Sequence, residues 1–194
     1  MNDAAKKKWD RIYTSNTTLQ PRAAAAVLTE HCFLLSVSGS ALDLACGLGG
    51  NACFLANKGF KVDAWDISRA ALLQLDTQAA RDGLAVHTRV INIKPGCFPN
   101  KAYDVIIVSR FLDRSVCHGI MDALNPGGLL FYQTYTREKL SPLGPNNPEY
   151  LLVGNELLSL FAPLQVVFYE DNARLGDVRY GLRNEALFIG RKLP

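Results

Sequence analysis

From residue 40 onward, short apolar runs alternate with helix-length amphipathic stretches. The runs at 41–45, 61–65, 85–91 and 103–108 have the length of single strands, and each is followed by a longer polar or amphipathic stretch. This alternation is typical of βαβ units, which build a parallel sheet covered by helices on both faces. The last run, YDVIIV, is nearly all apolar, which indicates a central strand. The chain is predicted to be α/β.

The remaining elements follow from turn residues and periodicity. The cluster Asn125-Pro126-Gly127-Gly128 is predicted to end a helix and to return the chain to the sheet as LLFYQTY. Residues 136–150 hold three of the nine prolines and are predicted to form a loop over the strand ends. The last two strands are predicted to form a long hairpin, with one strand antiparallel to the rest. We predict helices at 3–13, from Pro21 to residue 35, and at 50–58, 68–82, 114–124 and 155–161, and further strands at 129–135, 164–169 and 185–190.

Composition excludes several classes of protein. With 48% hydrophobic and 20% charged residues, the chain has enough apolar surface to fold, which excludes a disordered chain. A net charge of +3 is too small to indicate a nucleic-acid or membrane partner. The five cysteines form no Cys-x-x-Cys pair, and we expect the protein to occupy a reducing cytoplasm. The three histidines are scattered over separate elements, so we expect no metal site. No apolar run approaches the ~18 residues of a spanning helix.

The most specific motif is DLACGLGGN at 43–51, between the first predicted strand and its helix. Gly47 and Gly49 allow a tight turn and a close approach of the backbone to a ligand. Asp66 closes the second strand 17 residues after Gly49, where a carboxylate can accept both hydroxyls of a ribose. The alternative is that these residues only shape a strand-to-helix turn. Asp43, which precedes the loop, together with Gly47, Gly49 and Asp66 at this spacing favours a site for a nucleoside-bearing cofactor.

The charge of the loop distinguishes two cofactors. Gly47, Gly49 and Ala52 fit G-x-G-x-x-A, which would also permit a nicotinamide dinucleotide. Asp43, however, lies four residues before Gly47, and a carboxylate there would repel a pyrophosphate. S-adenosylmethionine carries a sulfonium and an ammonium group and no phosphate, so its charges match. The sequence therefore favours S-adenosylmethionine.

At these residues the sequence resembles the class I S-adenosylmethionine-dependent methyltransferases, and in particular the tellurite-resistance (TehB-like) family. The likeness runs through DLACGLGGN, GFKVDAWDIS, HTRVINI, YDVIIVS, LNPGGLLFY and LRNEALFIGRK. It implies a Rossmann-like seven-stranded sheet in the order 3-2-1-4-5-7-6, with strand seven antiparallel and helices on both faces. At 194 residues and with no linker, the chain fits one domain, predicted with this resemblance to be a single methyltransferase domain over 1–194 with residues 1–35 as an N-terminal helical cap.

The resemblance also implies roles for particular positions. Asp43 would lie near the methionine amino group, and Asp66 would hold the ribose with Ile67 against the adenine. The family usually presents Asp-Leu where this chain has Asn92-Ile93, and an asparagine oxygen can still accept the adenine amino proton. Arg110 falls where the family lines the methionine end, but it could equally be a solvated residue at a helix start. The full set of cofactor-binding candidates is Asp43, Ala45, Cys46, Gly47, Gly49, Asn51, Asp66, Ile67, Asn92, Ile93, Ser109 and Arg110.

The methyl acceptor is predicted to be a small molecule, such as a chalcogen oxyanion or a thiol. Transfer from a sulfonium needs alignment more than acid–base help, so no catalytic residue is assigned. The candidates come from segments that fold over the strand ends, and for each the alternative is an ordinary solvated loop residue. The acceptor candidates are Tyr13, Tyr135, Arg137 and Asn147, with Arg174, Arg179 and Arg183 as an anion-holding set. Monomer and homodimer both stay open.

Three alternatives accompany this interpretation. A nicotinamide oxidoreductase would use the same glycine loop, but it is disfavoured by Asp43 and by the lack of a credible catalytic pair. A cofactor-binding domain without catalysis would bind the adenosyl group and transfer nothing. Finally, Cys46 could be a reactive thiol at a helix start, although a small residue filling a tight turn explains it as well.

Overall fold

The computed structural model describes residues 3–15 and 23–194, and it contains one seven-stranded sheet in the order β3-β2-β1-β4-β5-β7-β6. The strands are β1 Gly39–Leu44, β2 Phe60–Asp66, β3 Val86–Val90, β4 Tyr103–Ser109, β5 Leu124–Tyr135, β6 Gln165–Glu170 and β7 Glu185–Arg191. The helices are α1 Asp3–Ser15, α2 Ala26–Glu30, α3 Gly50–Asn57, α4 Arg69–Asp82, α5 Cys117–Ala123 and α6 Glu156–Leu160. Strands β1 to β5 pair in parallel, and β7 pairs antiparallel to both β5 and β6. The predicted strand order and the antiparallel β7 are confirmed.

The two faces of the sheet bury separate apolar layers. On one face, Val62, Val105 and Phe131 pack with residues of α2, α3 and α4. On the other face, Ile106 and Tyr132 pack with residues of α5 and α6. This arrangement follows from the nearly continuous apolar character of the central strands, which need cover on both sides. Helices therefore lie on both faces, as predicted.

The helix predicted from Pro21 to residue 35 is wrong in extent. Pro21 lies outside the described residues, and α2 starts only at Ala26, with a 3₁₀ turn following at Cys32–Leu34. Ala25 is extended because its N–H donates to the Asn51 side chain at 2.8 Å rather than to a helical carbonyl. This long-range hydrogen bond outweighs the high helix propensity of the alanine run.

Two further boundaries differ from the prediction. Strand β5 begins at Leu124, and the Asn-Pro-Gly-Gly cluster forms a bulge inside it instead of a turn before it. Leu124 pairs with Tyr103 and Leu129 pairs with Val105. Residues 125–128 of β5 therefore lie opposite the single residue 104 of β4. The segment predicted as one helix at 114–124 is a 3₁₀ turn, Arg114–Val116, followed by α5. The bulge is a long-range feature of strand pairing that local turn signals do not report.

Candidate functional site

The loop that joins β1 to α3 lies at the carboxyl edge of the parallel strands. Ala45, Gly47 and Gly49 all have left-handed backbone conformations, with φ of 55°, 53° and 73°. The left-handed conformation of Gly47 favours glycine, and a β-carbon added there would lie 2.6 Å from the hydroxyl of Tyr13, which would then have to shift. The loop is therefore a tight turn with its backbone brought against α1.

Asp43 is the buried acid beneath this loop. Its carboxylate accepts hydrogen bonds from the Ala52 N–H at 2.9 Å and from the Asn51 side chain at 3.4 Å. Burial raises its pKa to about 7, although these two hydrogen bonds oppose the shift. Asp43 thereby ties the first turn of α3 to β1 from a position that is 0% exposed. Its contact with a cofactor stays a prediction.

Asp66 ends β2 beside the same loop. One of its oxygens accepts the Gly47 N–H and the other accepts the Ser68 N–H, both at 2.8 Å. Burial raises the pKa of Asp66, while the backbone hydrogen bonds lower it. Because each carboxylate oxygen can accept two hydrogen bonds, the side chain keeps acceptor capacity for the hydroxyls of a ribose. Asp66 thus holds the glycine loop in place and can still accept hydrogen bonds from a ribose.

Asn51 links three segments at this edge. Its carbonyl oxygen accepts the Ala25 N–H at 2.8 Å, and its amide nitrogen donates to the Ser109 hydroxyl at 3.0 Å and to Asp43. Ser109 is the last residue of β4. The predicted candidates Asp43, Asn51 and Ser109 are therefore brought into one hydrogen-bonded group.

Arg110 follows Ser109 and joins a second polar group. Its Nε donates to Glu185 at 2.8 Å, and the other oxygen of Glu185 accepts from the side-chain amide of Gln133. The Gln133 side-chain oxygen accepts the Val27 N–H at 2.9 Å. Burial would lower the pKa of Arg110, but the hydrogen bond and charge of Glu185, with a contribution from Tyr135, raise it. Arg110 is paired with a buried carboxylate, so the alternative prediction of a freely solvated arginine is wrong.

The remaining cofactor candidates surround the acids. Ile67 is half-buried next to Asp66, and the carbonyl of Asp66 accepts the Ile91 N–H, which brings the end of β3 to the site. Asn92 and Ile93 follow there and are half-buried. The Cys46 thiol is buried, and burial raises its pKa well above the ordinary value. A high pKa keeps the thiol protonated, which disfavours the alternative of a reactive Cys46.

Helix α1 packs over the loop and the start of α4. The Asp10 carboxylate accepts from the Ser68 hydroxyl at 2.7 Å and from the Ala70 N–H at 3.2 Å, so it caps the N-terminus of α4. The Gln74 side chain donates to the carbonyl of Tyr13 at 3.1 Å. A hydrogen bond from Lys6 lowers the pKa of Asp10 to about 2. The side chain of Asp10, which no sequence motif marked, anchors α1 above the candidate site.

Replacing Asp10 by alanine is expected to loosen α1 without unfolding the sheet. The substitution removes two hydrogen bonds at a helix N-terminus, a change that typically costs ~1 kcal/mol. Hydrogen–deuterium exchange should therefore rise at α1 and at the first turn of α4 and stay unchanged in β4 and β5. An α1 that remains equally protected in the Asp10→Ala protein would contradict this anchoring role.

Three acceptor candidates lie on or near the proline-rich loop. The ring of Tyr135 packs against Gly144, where an added β-carbon would lie 2.7 Å from it. Asn147 uses its side-chain oxygen to accept the Glu149 N–H at 3.0 Å, which caps a 3₁₀ turn. Arg137 is exposed and its N–H donates to the carbonyl of Leu152. Of these residues the structure brings Tyr135 to the group around Arg110.

The three arginines of the 170–183 connection bind neighbouring loop atoms. Arg183 donates to the carbonyls of residues 172, 175, 177 and 180 and so holds its own loop together. Arg179 pairs with the carboxylate of Asp177. Arg174 donates to the carbonyl of Lys139 at 3.1 Å, which connects this loop to the proline-rich loop. The anion-holding set stays a prediction, and the structure shows a loop-bracing use for each guanidinium.

Sequence reasoning missed Gln133 and Glu185, which are 2% and 5% exposed. A signal exists for each, because Gln133 interrupts the apolar run LLFYQTY and Glu185 opens the apolar run ALFIG. A polar side chain inside a strand covered on both faces needs a partner.

Within residues 3–15 and 23–194 no cluster of three side chains could hold a metal ion, and no helix is long and apolar enough to cross a bilayer.

Known proteins share both this sequence pattern and this architecture. A family model described as tellurite resistance protein TehB matches residues 20–130 of the 194-residue chain. The chain belongs to the TehB family. The prediction of a class I S-adenosylmethionine-dependent methyltransferase is therefore confirmed at the level of family and fold. None of the curated proteins is similar enough in sequence to match it.

Solved structures share the fold of this TehB-family chain at low sequence identity. The crystal structure of TehB from Haemophilus influenzae superposes with a TM-score of 0.74 at 19% identity, and the match covers 95% of this chain and 67% of that one. A methyltransferase from Methanosarcina mazei gives a TM-score of 0.67 at 18% identity, covering 89% of this chain and 99% of that one. A methyltransferase from Aquifex aeolicus gives 0.67 at 14% identity and covers both chains completely.

Proposed function

We propose that this TehB-family chain binds S-adenosylmethionine at the carboxyl ends of β1, β2 and β4 and transfers its methyl group to a small-molecule acceptor. The observation that carries the proposal is the pair of buried acids, Asp43 and Asp66, on the two sides of a left-handed glycine loop. Two buried carboxylates, one beneath the loop and one beside it, favour a ligand with positive charge near that loop, and the sulfonium and ammonium groups of S-adenosylmethionine supply it.

The first turn of α3 supports this cofactor over a dinucleotide. In dinucleotide sites the free N–H groups of this turn face a pyrophosphate. Here the Ala52 N–H already donates to Asp43, and the side chain of Asn51 turns to the same carboxylate. A phosphate at this helix end would therefore meet an acid and lose a donor.

Each part of the cofactor has candidate partners at this edge. Asp66 would accept the ribose hydroxyls, Ile67 would pack on the adenine, and Asn92-Ile93 would border its amino group. The methionine portion would lie along the glycine loop and the end of β4. The residues proposed for that portion are Asp43, Ala45, Cys46, Gly47, Gly49, Asn51, Ser109 and Arg110. We propose the same organisation for the whole chain, one domain over 1–194 with residues 1–35 as its cap.

The chain's own contribution to catalysis is alignment and exclusion of water. Bound S-adenosylmethionine supplies an electrophilic methyl group, so that an acceptor lone pair can form the new bond while the electrons of the broken C–S bond stay on sulfur. This displacement needs the acceptor in line with the C–S bond, and orientation alone can account for a large part of the rate. Helix α1 covers the loop from above, and Tyr135 with the polar group around Arg110 borders the far side. These elements would hold the acceptor.

The family's description and the polar lining both support a small polar or soft nucleophile as the proposed acceptor. The family's description, tellurite resistance, supports a chalcogen oxyanion such as tellurite or selenite. A thiol is the second candidate, because it presents a soft nucleophile that needs only deprotonation. Tyr13, Tyr135, Arg137 and Asn147, with the arginines of the 170–183 connection, remain the proposed acceptor contacts.

Methyl transfer is tested with S-adenosylmethionine labelled in its methyl group. We expect label to appear in a volatile or extractable product with at least one of selenite, tellurite, dithiothreitol and thiophenol, and S-adenosylhomocysteine to form in equal amount. Asp66→Ala is the inactive control. Tight cofactor binding with no labelled product from the whole panel would contradict this acceptor class and favour the non-catalytic binding domain.

A further inference from the structure

The connection from β3 to β4 crosses the sheet without a helix. Residues 91–102 carry the chain from one edge of the sheet past β2 and β1, and all of them form turns, bends or irregular backbone. The other parallel crossovers of the sheet contain α3, α4 and α5, as long parallel connections usually do. On the face that α5 and α6 cover at β4 and β5, an irregular segment therefore lies over β2 and β3.

This segment forms the wall of a trough on the sheet, here called the β2–β3 trough. It consists of two adjoining cavities of about 640 Å³ and 400 Å³, within the size range of small-molecule sites. The wall is held by Phe98, whose ring packs on Trp65 with centroids 5.9 Å apart. A β-carbon on Gly119 of α5 would lie 2.5 Å from the same ring. The residues that line both cavities are Asp63, His87, Pro99 and Tyr103.

The floor of the trough is rich in charged side chains. Alternation along β2 puts Lys61, Asp63 and Trp65 on this face of the sheet. His87 and Arg89 of β3 pair with the latter two residues. The three basic side chains belong to exposed residues. Among the described residues that line either cavity, Asp63 is the one acid, so positive groups outnumber negative ones.

Asp63 is hydrogen-bonded within the protein. One of its oxygens accepts the Tyr103 hydroxyl at 2.7 Å, and the other lies 3.3 Å from Nδ1 of His87. Burial and the hydrogen bond to Asp63 raise the pKa of Tyr103, so its hydroxyl remains a donor. Both carboxylate oxygens therefore have partners, which reduces the repulsion that an anion in the trough would meet.

Arg89 presents a guanidinium that has no carboxylate partner. Its central carbon lies 5.5 Å from the centroid of the Trp65 ring, a cation–π contact that orients the guanidinium on the floor of the trough. Within residues 3–15 and 23–194, neither Arg89 nor Lys61 has a carboxylate within ion-pair distance. A stacked guanidinium can still bind an anion through two parallel hydrogen bonds from its edge.

We propose that the β2–β3 trough is a second ligand site, which binds a small aromatic anion. Its carboxylate or phosphate group would pair with Arg89, and its ring would lie against Phe98 and Pro99. Lys61 adds positive charge at the other end of the trough, so the charge of the site matches that of the ligand. The trough shares no lining residue with the proposed cofactor set, and the inference does not rest on the proposed function.

The test uses the indole N–H signals of the two tryptophans in proton–nitrogen correlation spectra. Trp65 lines the trough, whereas Trp9 lies on α1, and a Trp9→Phe protein identifies each signal. Naphthoate should shift the Trp65 signal saturably and leave the Trp9 signal in place. Naphthamide has the same ring without the charge and should bind at least about tenfold more weakly. Naphthyl phosphate, titrated in the same way, distinguishes a phosphorylated ligand from a carboxylated one by its relative affinity.

Substitution of the cations tests which of them binds the anionic group. In Arg89→Gln the ratio of naphthoate to naphthamide affinity should fall to about one, because affinity for the uncharged ligand is retained. Lys61→Gln should lower the ratio by only about threefold, since Lys61 contributes at a distance. Arg81→Gln is the matched control, because Arg81 is an exposed arginine of α4 on the opposite face of the sheet, and it should leave the ratio unchanged.

The outcomes separate this inference from the proposed function. An unchanged ratio in Arg89→Gln, or a Trp65 signal that responds to neither anion, would overturn the second site. Saturating S-adenosylhomocysteine should leave naphthoate binding unchanged. Displacement of naphthoate by S-adenosylhomocysteine would place the probe in the cofactor crevice and overturn the second site alone. Failure of S-adenosylhomocysteine itself to bind would count against the proposed function and leave the second site standing.

Discussion

Asp66→Ala is expected to weaken binding of S-adenosylhomocysteine at least about 100-fold, the largest effect of any single substitution at the site. The carboxylate would accept two ribose hydroxyls, and hydrogen bonds to a charged acceptor contribute ~1.5–3 kcal/mol each. The same substitution leaves the N–H groups of Gly47 and Ser68 without their partner, so the glycine loop also loses its support. Calorimetric titration of the wild-type and variant proteins measures the effect.

Two controls separate loss of the ribose contact from collapse of the loop. Asp66→Asn retains one oxygen for a backbone N–H and should weaken binding by about tenfold, between wild type and the alanine variant. Asp82→Ala alters an exposed acid at the end of α4 and should have no effect on affinity. Unchanged affinity in Asp66→Ala, in a protein with wild-type thermal stability, would remove the assigned ribose site.

Asp43 is expected to make the protein less stable as the pH rises from about 4 to about 7. Its folded pKa is about 7, against an ordinary value of 3.8. Between these values the folded protein keeps the proton and the unfolded chain releases it, so each rise in pH favours unfolding. A shift of about three pH units corresponds to ~4 kcal/mol of unfolding free energy, which is an upper bound for this one group. Above pH ~7 the contribution is constant.

Asp43→Asn provides the comparison, because an asparagine does not titrate yet can still accept the Ala52 N–H. Urea unfolding of both proteins between pH 4.5 and pH ~8 gives the difference in their unfolding free energies, from which titration of shared groups such as Asp66 largely cancels. We expect wild type to lose several kcal/mol relative to Asp43→Asn over this range. Two pH profiles that run parallel would show that Asp43 does not carry the raised pKa.

The sheet could be predicted from sequence because its signals are local. The run YDVIIV at 103–108 became β4, the central strand beside β1, and the loop at 43–51 marked where β1 ends. The shared location of Asp43 and Asp66 could also be predicted, since the ends of neighbouring parallel strands meet at one edge of the sheet. Spacing along the chain was enough to place both acids beside one glycine loop.

The parts that sequence did not reveal depend on distant partners. Ala25 leaves the helical pattern because of Asn51, and Asp10 caps a helix that begins some sixty residues later at Arg69. Glu185 meets Arg110 only because β7 inserts antiparallel beside β5, which brings its first residue to the carboxyl edge of the sheet. Local propensity reports none of these contacts, since each depends on the finished topology.

The central claim is that the crevice beside β1 and β2 binds a positively charged cofactor rather than a pyrophosphate. Parallel calorimetric titrations of the wild-type protein with S-adenosylmethionine and with NAD⁺ and NADP⁺, at one pH and one salt concentration, test it most directly. We expect saturable one-to-one binding of S-adenosylmethionine and no heat of binding from either dinucleotide. Binding of a dinucleotide, with none of S-adenosylmethionine, would contradict the account and leave only the fold.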